Sequence, residues 1–341
     1  IYSIASLTIT ATATGALVTW GDEVLELVTP NGMPLVPGYF QLTDFVALWH
    51  ALPAPPTPAN LIFGTNQIDS LTGTSGDDAF LVSLGADTIN GGTGFDTLYL
   101  SNATAAIRVY LEAQNQHNNI ATGQTYISIE GLVGSAFSDT LIGNSDANRI
   151  EGMDGNDRLG GSSGTDSLFG GNGNDTLLGG IGADELDGGA GRDRASYRES
   201  IYGVAADLTT PAVNAGEAAG DSYVAIEDLE GTGYQDTLAG DAQANNLVAL
   251  EGNDRLDGRA GADSLYGGAG TDTLVGGEGA DRLDGGTGTD YAGYDTSASA
   301  IRIDLVTASL NTGDAVGDVF TGIEGFILTN FADTFSGSTV A

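Results

Sequence analysis

The sequence predicts an all-β chain built as a repetitive array: blocks of tight turns separated by short β inserts, with a small β unit in front. Three observations carry the prediction. Residues 134–196 and 231–293 each divide into seven consecutive nonapeptides of the form G-G-x-G-x-D-x-hydrophobic-x, clearest at Gly170 to Leu178, Gly179 to Asp187 and Gly267 to Val275. A second period of 97 residues lies over the first: Asp96, Asp193 and Asp290 keep it, as do Leu111, Leu208 and Leu305, and Ile129-Glu130, Ile226-Glu227 and Ile323-Glu324. Each unit is therefore 63 residues of nonapeptides followed by a 34-residue insert. Third, the glycines suit tight turns and the last three residues of each nonapeptide suit a short strand. A fixed period of this kind marks an architecture whose units pack mainly on their neighbours.

In chain order, residues 1–52 form the N-terminal β unit, with Leu7, Ile9, Ala11 and Ala13 alternating, then Leu17, Val24, Leu25 and Leu27, and turns at Gly15 and Gly21-Asp22. Phe40, Phe45 and Trp49 complete its apolar set. Residues 53–63 are a Pro-rich extended linker, Pro53-Ala54-Pro55-Pro56-Thr57-Pro58. Four nonapeptides over residues 64–99 make the first block, with Gln67 replacing a glycine and a full consensus only at Gly91 to Tyr99. Inserts at 100–133, 197–230 and 294–327 frame the blocks at 134–196 and 231–293. Each insert carries an alternating strand, Ile107 to Leu111, Val204 to Leu208 and Ile301 to Leu305, expected to cap or broaden the array. Residues 328–341 begin a further, incomplete block at Ala332-Asp333-Thr334-Phe335. The chain is expected to be a fragment or a processed product, because Ile1 stands in strand-like sequence with no basic signal region.

Composition narrows the function classes. There are 46 acidic and 10 basic residues, a formal charge of -36, and every basic residue is Arg. Such a field repels nucleic acid and anionic lipid and leaves divalent cations as natural partners. A hydrophobic content of 41% with a strict period of nine argues against disorder. No apolar run is long enough for a membrane span, and without Cys there is no disulfide framework.

The nonapeptide resembles the RTX, or haemolysin-type, calcium-binding repeat family. That resemblance implies a parallel β-roll in which two nonapeptides make one coil and each turn stacks on the turn 18 residues on. The Asp residues then fall into columns: Asp139, Asp157, Asp175 and Asp193 on one edge, against Asn148, Asp166 and Asp184; and Asp236, Asp254, Asp272 and Asp290, against Asn245, Asp263 and Asp281. In the first block Asp78, Asp87 and Asp96 take the same place. Strand stacking sets neighbouring carboxylates about 5 Å apart, a repulsion of several kcal/mol unless a cation intervenes. Calcium suits the place as a hard ion taking six to eight oxygens, from two Asp side chains and backbone carbonyls of the turns. The resemblance assigns those carbonyls to the glycine positions, among them Gly171, Gly173, Gly180, Gly182, Gly268, Gly270, Gly277 and Gly279. Each seven-turn block implies about five calcium ions, hence about ten or more in the chain. Asn148 and Asn245 weaken the start of their edges, and Gln124 breaks the Gly-Asp pair seen at Gly220-Asp221 and Gly317-Asp318.

With so thin a core, one leucine-like residue per nonapeptide, the metal-free roll is not expected to be stable, and calcium becomes a folding switch. A chain unfolded at low intracellular calcium and folded outside fits secretion, which the resemblance places in the type I route. No catalytic reading survives. Gly160-Gly161-Ser162-Ser163-Gly164 matches a nucleophile elbow literally but straddles two nonapeptides with no helix after it. His50 and His117 are isolated and read as surface or packing residues. Asp77-Asp78 is explained by the repeat, and Arg158, Arg255 and Arg282 offset local negative charge. The first expectation is a non-enzymatic calcium-binding structural segment of a large secreted or cell-surface bacterial protein, of the S-layer, filament or adhesin type, able to self-associate. The alternative is the calcium-binding accessory module of a secreted protease, lipase or alginate epimerase. A pore-forming toxin would carry lysines and an apolar helical region, and this sequence has neither.

Overall fold

The computed structural model describes residues 60–337 and, by backbone alone, the strands Leu7–Ala11, Gly15–Trp20 and Glu23–Val28. The Pro-rich segment to Ala59, Phe40, Phe45, Trp49, His50 and the last four residues lie outside the described residues. The three leading strands form an antiparallel meander, Ile9 opposite Val18 and Val18 opposite Leu25. The third runs parallel to Asn60–Phe63, with Leu27 beside Leu61.

From there on every strand pairing is parallel and no α-helix occurs among the described residues. The chain divides into two compact units, residues 1–162 with 169–173, and residues 163–168 with 174–341. In the first, Phe80 pairs with Leu98, Leu71 with Ile89, and Leu141 with Leu159. In the second, Leu229, Leu247, Leu265 and Leu283 run down one sheet and Leu238, Leu256 and Leu274 down another. Within the blocks each partner lies 18 residues on, so two nonapeptides close one coil, and the fold is a parallel β-roll. The alternation explains the core: the eighth residue of each nonapeptide points inward, and Leu141, Ile150, Leu159, Leu177, Leu238, Leu256 and Leu274 are all 0% exposed. In the clearest repeats the strands outrun the expected three residues, as in Thr176–Gly182 and Ser264–Gly270, because the ladder extends into the glycine turn.

The inserts do more than cap. Each supplies three strands, where the sequence indicated one. In residues 100–133, Arg108–Tyr110 starts a new sheet, with Val109 beside Leu141; Thr125–Ile127 ends an old one, with Tyr126 beside Ile89; and Gly131–Val133 carries the other face through, with Leu132 between Leu98 and Ile150. Residues 197–230 repeat the pattern: Ala206 starts beside Leu238, Tyr223 ends beside Leu186, and Leu229 runs between Ala195 and Leu247. In residues 294–327, Ile303 starts beside Phe335, Phe320 ends beside Leu283, and Phe326 continues from Ala292. One face of the roll is thus unbroken at every insert.

Candidate calcium-binding columns

Each Asp of the repeat stands at or one residue before the start of its strand, so the roll fixes its position as firmly as it fixes the inward apolar residue two positions later. All the sequence-predicted acids, Asp78, Asp87, Asp96, Asp139, Asp157, Asp166, Asp175, Asp184, Asp193, Asp236, Asp254, Asp263, Asp272, Asp281 and Asp290, are buried, none more than 3% exposed. Their two oxygens have different tasks. One accepts the backbone N–H of the residue one coil earlier: Asp78 donates to Asp96 at 2.8 Å, Asp139 to Asp157 at 2.7 Å, Asp175 to Asp193 at 2.7 Å, Asp254 to Asp272 and Asp263 to Asp281 at 2.9 Å. The other oxygen, Oδ2, is buried with no hydrogen-bond partner in Asp96, Asp184, Asp193, Asp254, Asp263, Asp272, Asp281 and Asp290.

A buried carboxylate oxygen left without a donor is costly, and a row of them is a strong sign of a missing electropositive partner. The surroundings fit a metal. A Cβ on Gly258 would collide with Oδ2 of Asp263 and lie 2.7 Å from the carbonyl oxygen of Gly276. Carbonyl oxygen and carboxylate oxygen therefore crowd the same small space, which only glycine leaves open. Gly268 and Gly270, at φ 106° and 148°, turn the backbone so that its carbonyls line the turn. The donor set is all oxygen, suited to calcium and unsuited to softer metals. Among the described residues no three His, Cys, Asp or Glu side chains converge on one point, so a site here draws on paired carboxylates and backbone carbonyls.

Electrostatics agree. Burial, reinforced by neighbouring Asp charges, pushes Asp254 and Asp263 up to about 7 and Asp193 up to about 6. Burial also raises Asp96, Asp184, Asp272, Asp281 and Asp290. Away from the columns the sign reverses at Asp207: burial raises it, but Arg259 at 2.6 Å and the N–H groups of Thr209 and Thr210 hold it below the usual range.

The columns contain residues that sequence reasoning missed. Asp96, Asp193 and Asp290 donate their N–H groups to Oε2 of Glu130, Glu227 and Glu324 at 2.9, 2.8 and 2.8 Å, so these glutamates continue the column into the insert. Asp184 and Asp281 donate likewise to Asp221 and Asp318, both at 3.0 Å. The signal was the 97-residue recurrence of Ile-Glu and Gly-Asp, whose spacing of 34 or 37 from the preceding Asp hid the link. Asn245 stands in the column after Glu227; its Nδ2 donates to the Glu227 carbonyl at 2.8 Å and to Asp241 at 3.1 Å, an internal substitute for a cation.

The catalytic motifs stay apart. Ser162 is exposed, at φ 80° in the strand Arg158–Gly164, with no helix following. His117 bonds the Tyr110 carbonyl through Nε2 at 2.9 Å and packs on Tyr126 at 5.1 Å between ring centres. Arg282 pairs with Asp284 at 2.8 Å, in line with local charge compensation.

No curated protein matches the chain. A comparison with protein families matches the RTX calcium-binding nonapeptide repeat at residues 63–98, 133–168, 160–195, 230–265 and 257–292. The matched stretches are the ones that form the coils and carry the buried Asp columns, and repeats of this type bind calcium. These segments are copies of the RTX, or haemolysin-type, calcium-binding nonapeptide repeat.

Proposed function

We propose that the Asp columns hold calcium ions between successive coils, about ten or more in the chain, and that the chain is a calcium-folded structural segment of a secreted or cell-surface bacterial protein of the S-layer, filament or adhesin type. The observation that carries this reading is the row of buried Oδ2 atoms without donors, from Asp254 and Asp272 to Asp263 and Asp281. Bound calcium would supply the positive charge those oxygens lack. The chain's own residues fix two carboxylates per gap, hold them in register through backbone N–H bonds, and exclude water with the leucine row. RTX repeats are typical of secreted bacterial proteins, which supports an extracellular place, where calcium is abundant. In this reading the chain itself catalyses nothing.

The regular 97-residue unit favours the scaffold form over an accessory module. Light scattering and negative-stain microscopy of the chain in chelator and in about 10 mM calcium test the reading, at a level above the affinities usual for extracellular sites. Filaments or sheets formed only with calcium support the scaffold. A compact calcium-bound monomer points instead to the accessory module, and a chain indifferent to calcium overturns the proposal.

A further inference from the structure

Three equivalent positions, 97 residues apart, carry Gln124, Asp221 and Asp318. Their backbones are held alike. Each N–H bonds the carbonyl three residues back, Ala121, Ala218 or Ala315, and the next N–H bonds the carbonyl of Asp87, Asp184 or Asp281 at 2.8 Å. The three side chains therefore start from the same place beside the same turn.

Gln124 is 1% exposed, and its Nε2 meets oxygens on every side: the carbonyls of Ser83 at 2.9 Å, Gly85 at 3.1 Å and Ile120 at 3.4 Å, and Oδ2 of Asp87 at 3.2 Å. Two turn carbonyls and a column carboxylate around one electropositive centre are the surroundings of a cation, provided here by an amide. In the other two inserts the side chain is one methylene shorter and offers no donor. Asp221 and Asp318 present a second carboxylate, and the facing Oδ2 atoms of Asp184 and Asp281, 2% and 1% exposed, have no partner. The residues behind change in step. Tyr197 donates to Oδ2 of Asp221 at 2.8 Å and Tyr294 to Oδ2 of Asp318 at 2.5 Å, whereas the corresponding residue behind neutral Gln124 is Leu100, fully buried.

We infer that the inserts 197–230 and 294–327 each complete one further calcium site, Asp184 with Asp221 and Asp281 with Asp318, while insert 100–133 fills the matching place with the Gln124 amide and needs no metal there. The inference rests on the calcium reading of the roll. It assigns ligands outside the nonapeptides and leaves the Asp87 edge of the first block's last coil without need of a metal. Tyr197 and Tyr294 act as positioning residues that aim the insert carboxylates.

The test counts calcium by elemental analysis on the full chain after gel filtration in saturating calcium, with circular dichroism as the check on folding. The double variant Asp221→Gln, Asp318→Gln is expected to hold two ions fewer than the parent. The variant Leu100→Tyr, Gln124→Asp, which copies the second insert, is expected to hold one more. If the first variant fails to fold, the gain in the second decides. In crystals of the calcium-loaded parent, anomalous peaks are expected between Asp184 and Asp221 and between Asp281 and Asp318. Unchanged counts in folded variants, or peaks confined to the nonapeptide Asp pairs, overturn the inference while leaving the roll's calcium sites intact. A parent that holds no calcium overturns both.

Discussion

At the residue scale the repeat divides its labour so that few positions can change. Asp272 is fully buried, accepts the Asp254 N–H at 2.9 Å and turns a lone Oδ2 into the turn. Asp272→Ala removes an acceptor and, in the proposed reading, a calcium ligand together, so it is expected to cost about 1–3 kcal/mol and raise the calcium concentration needed for folding, read from dichroism titrations. Glycine is required where the backbone turns left-handed beside a carbonyl. Gly270→Ala places a Cβ against the Gly252 oxygen at φ 148°, and is expected to destabilise the calcium-loaded chain by more than about 1 kcal/mol in denaturant. Leu250 is the reverse case, a leucine at φ 81° where other turns have glycine. Leu250→Gly is expected to stabilise by about 1 kcal/mol in the same assay, and a loss of stability would show that its side chain matters more than its backbone strain.

At the scale of elements the insert is a splice. It ends one sheet, begins another and carries a third strand through, so the carried face keeps both its leucine row and its carboxylate column. Glu227 is the joint, since it accepts the Asp193 N–H at 2.8 Å while its own carbonyl receives the Asn245 amide. Glu227→Ala is expected to leave a buried N–H unmet, at about 1–3 kcal/mol, and to split one calcium-dependent folding transition into two. Limited proteolysis within residues 197–230 at intermediate calcium reads the split, and an unchanged single transition would place the coupling elsewhere. The splice also explains why side-chain amides appear where they do. Asn245 sits just after a splice and Gln124 at the strand that ends a sheet, places where a coil's neighbour is spaced irregularly and a covalently attached donor can stand in for an ion.

For the whole molecule the charge that makes the chain soluble when unfolded becomes the obstacle to folding it. Of 46 acidic residues, those in the columns are forced out of water in rows, and burial raises Asp254 and Asp263 to about 7 against 3.8 for a free side chain. A carboxyl whose folded value lies above its unfolded one favours the fold only while protonated. That contribution is complete below about 4 and fades as pH rises toward about 7. The metal-free chain is therefore expected to gain β signal when acidified from pH about 7.5 to about 5 in chelator. Calcium prefers the ionised carboxylates, so the calcium midpoint should rise over the same acidification and protons should be released on binding. A metal-free spectrum indifferent to pH would contradict this.

The Gly-Gly-x-Gly-x-Asp signature implied the roll through its resemblance to the RTX repeat, and the period of nine then gave the inward leucines and the column acids, because in a parallel stack each residue's neighbour is simply the one 18 positions on. The strands at Arg108, Ala205 and Arg302 were legible for the same reason, as local alternation. What only the tertiary structure decided is where that simple rule fails. The inserts replace a spacing of 18 by 34 and 37, so Glu130, Glu227, Glu324, Asp221 and Asp318 join the columns through contacts that no local pattern encodes. Which oxygen of Asp254, Asp263 or Asp272 is satisfied and which is left bare also depends on the coil packed above it. That division decides where positive charge must come from, and it exists only once the chain is wound.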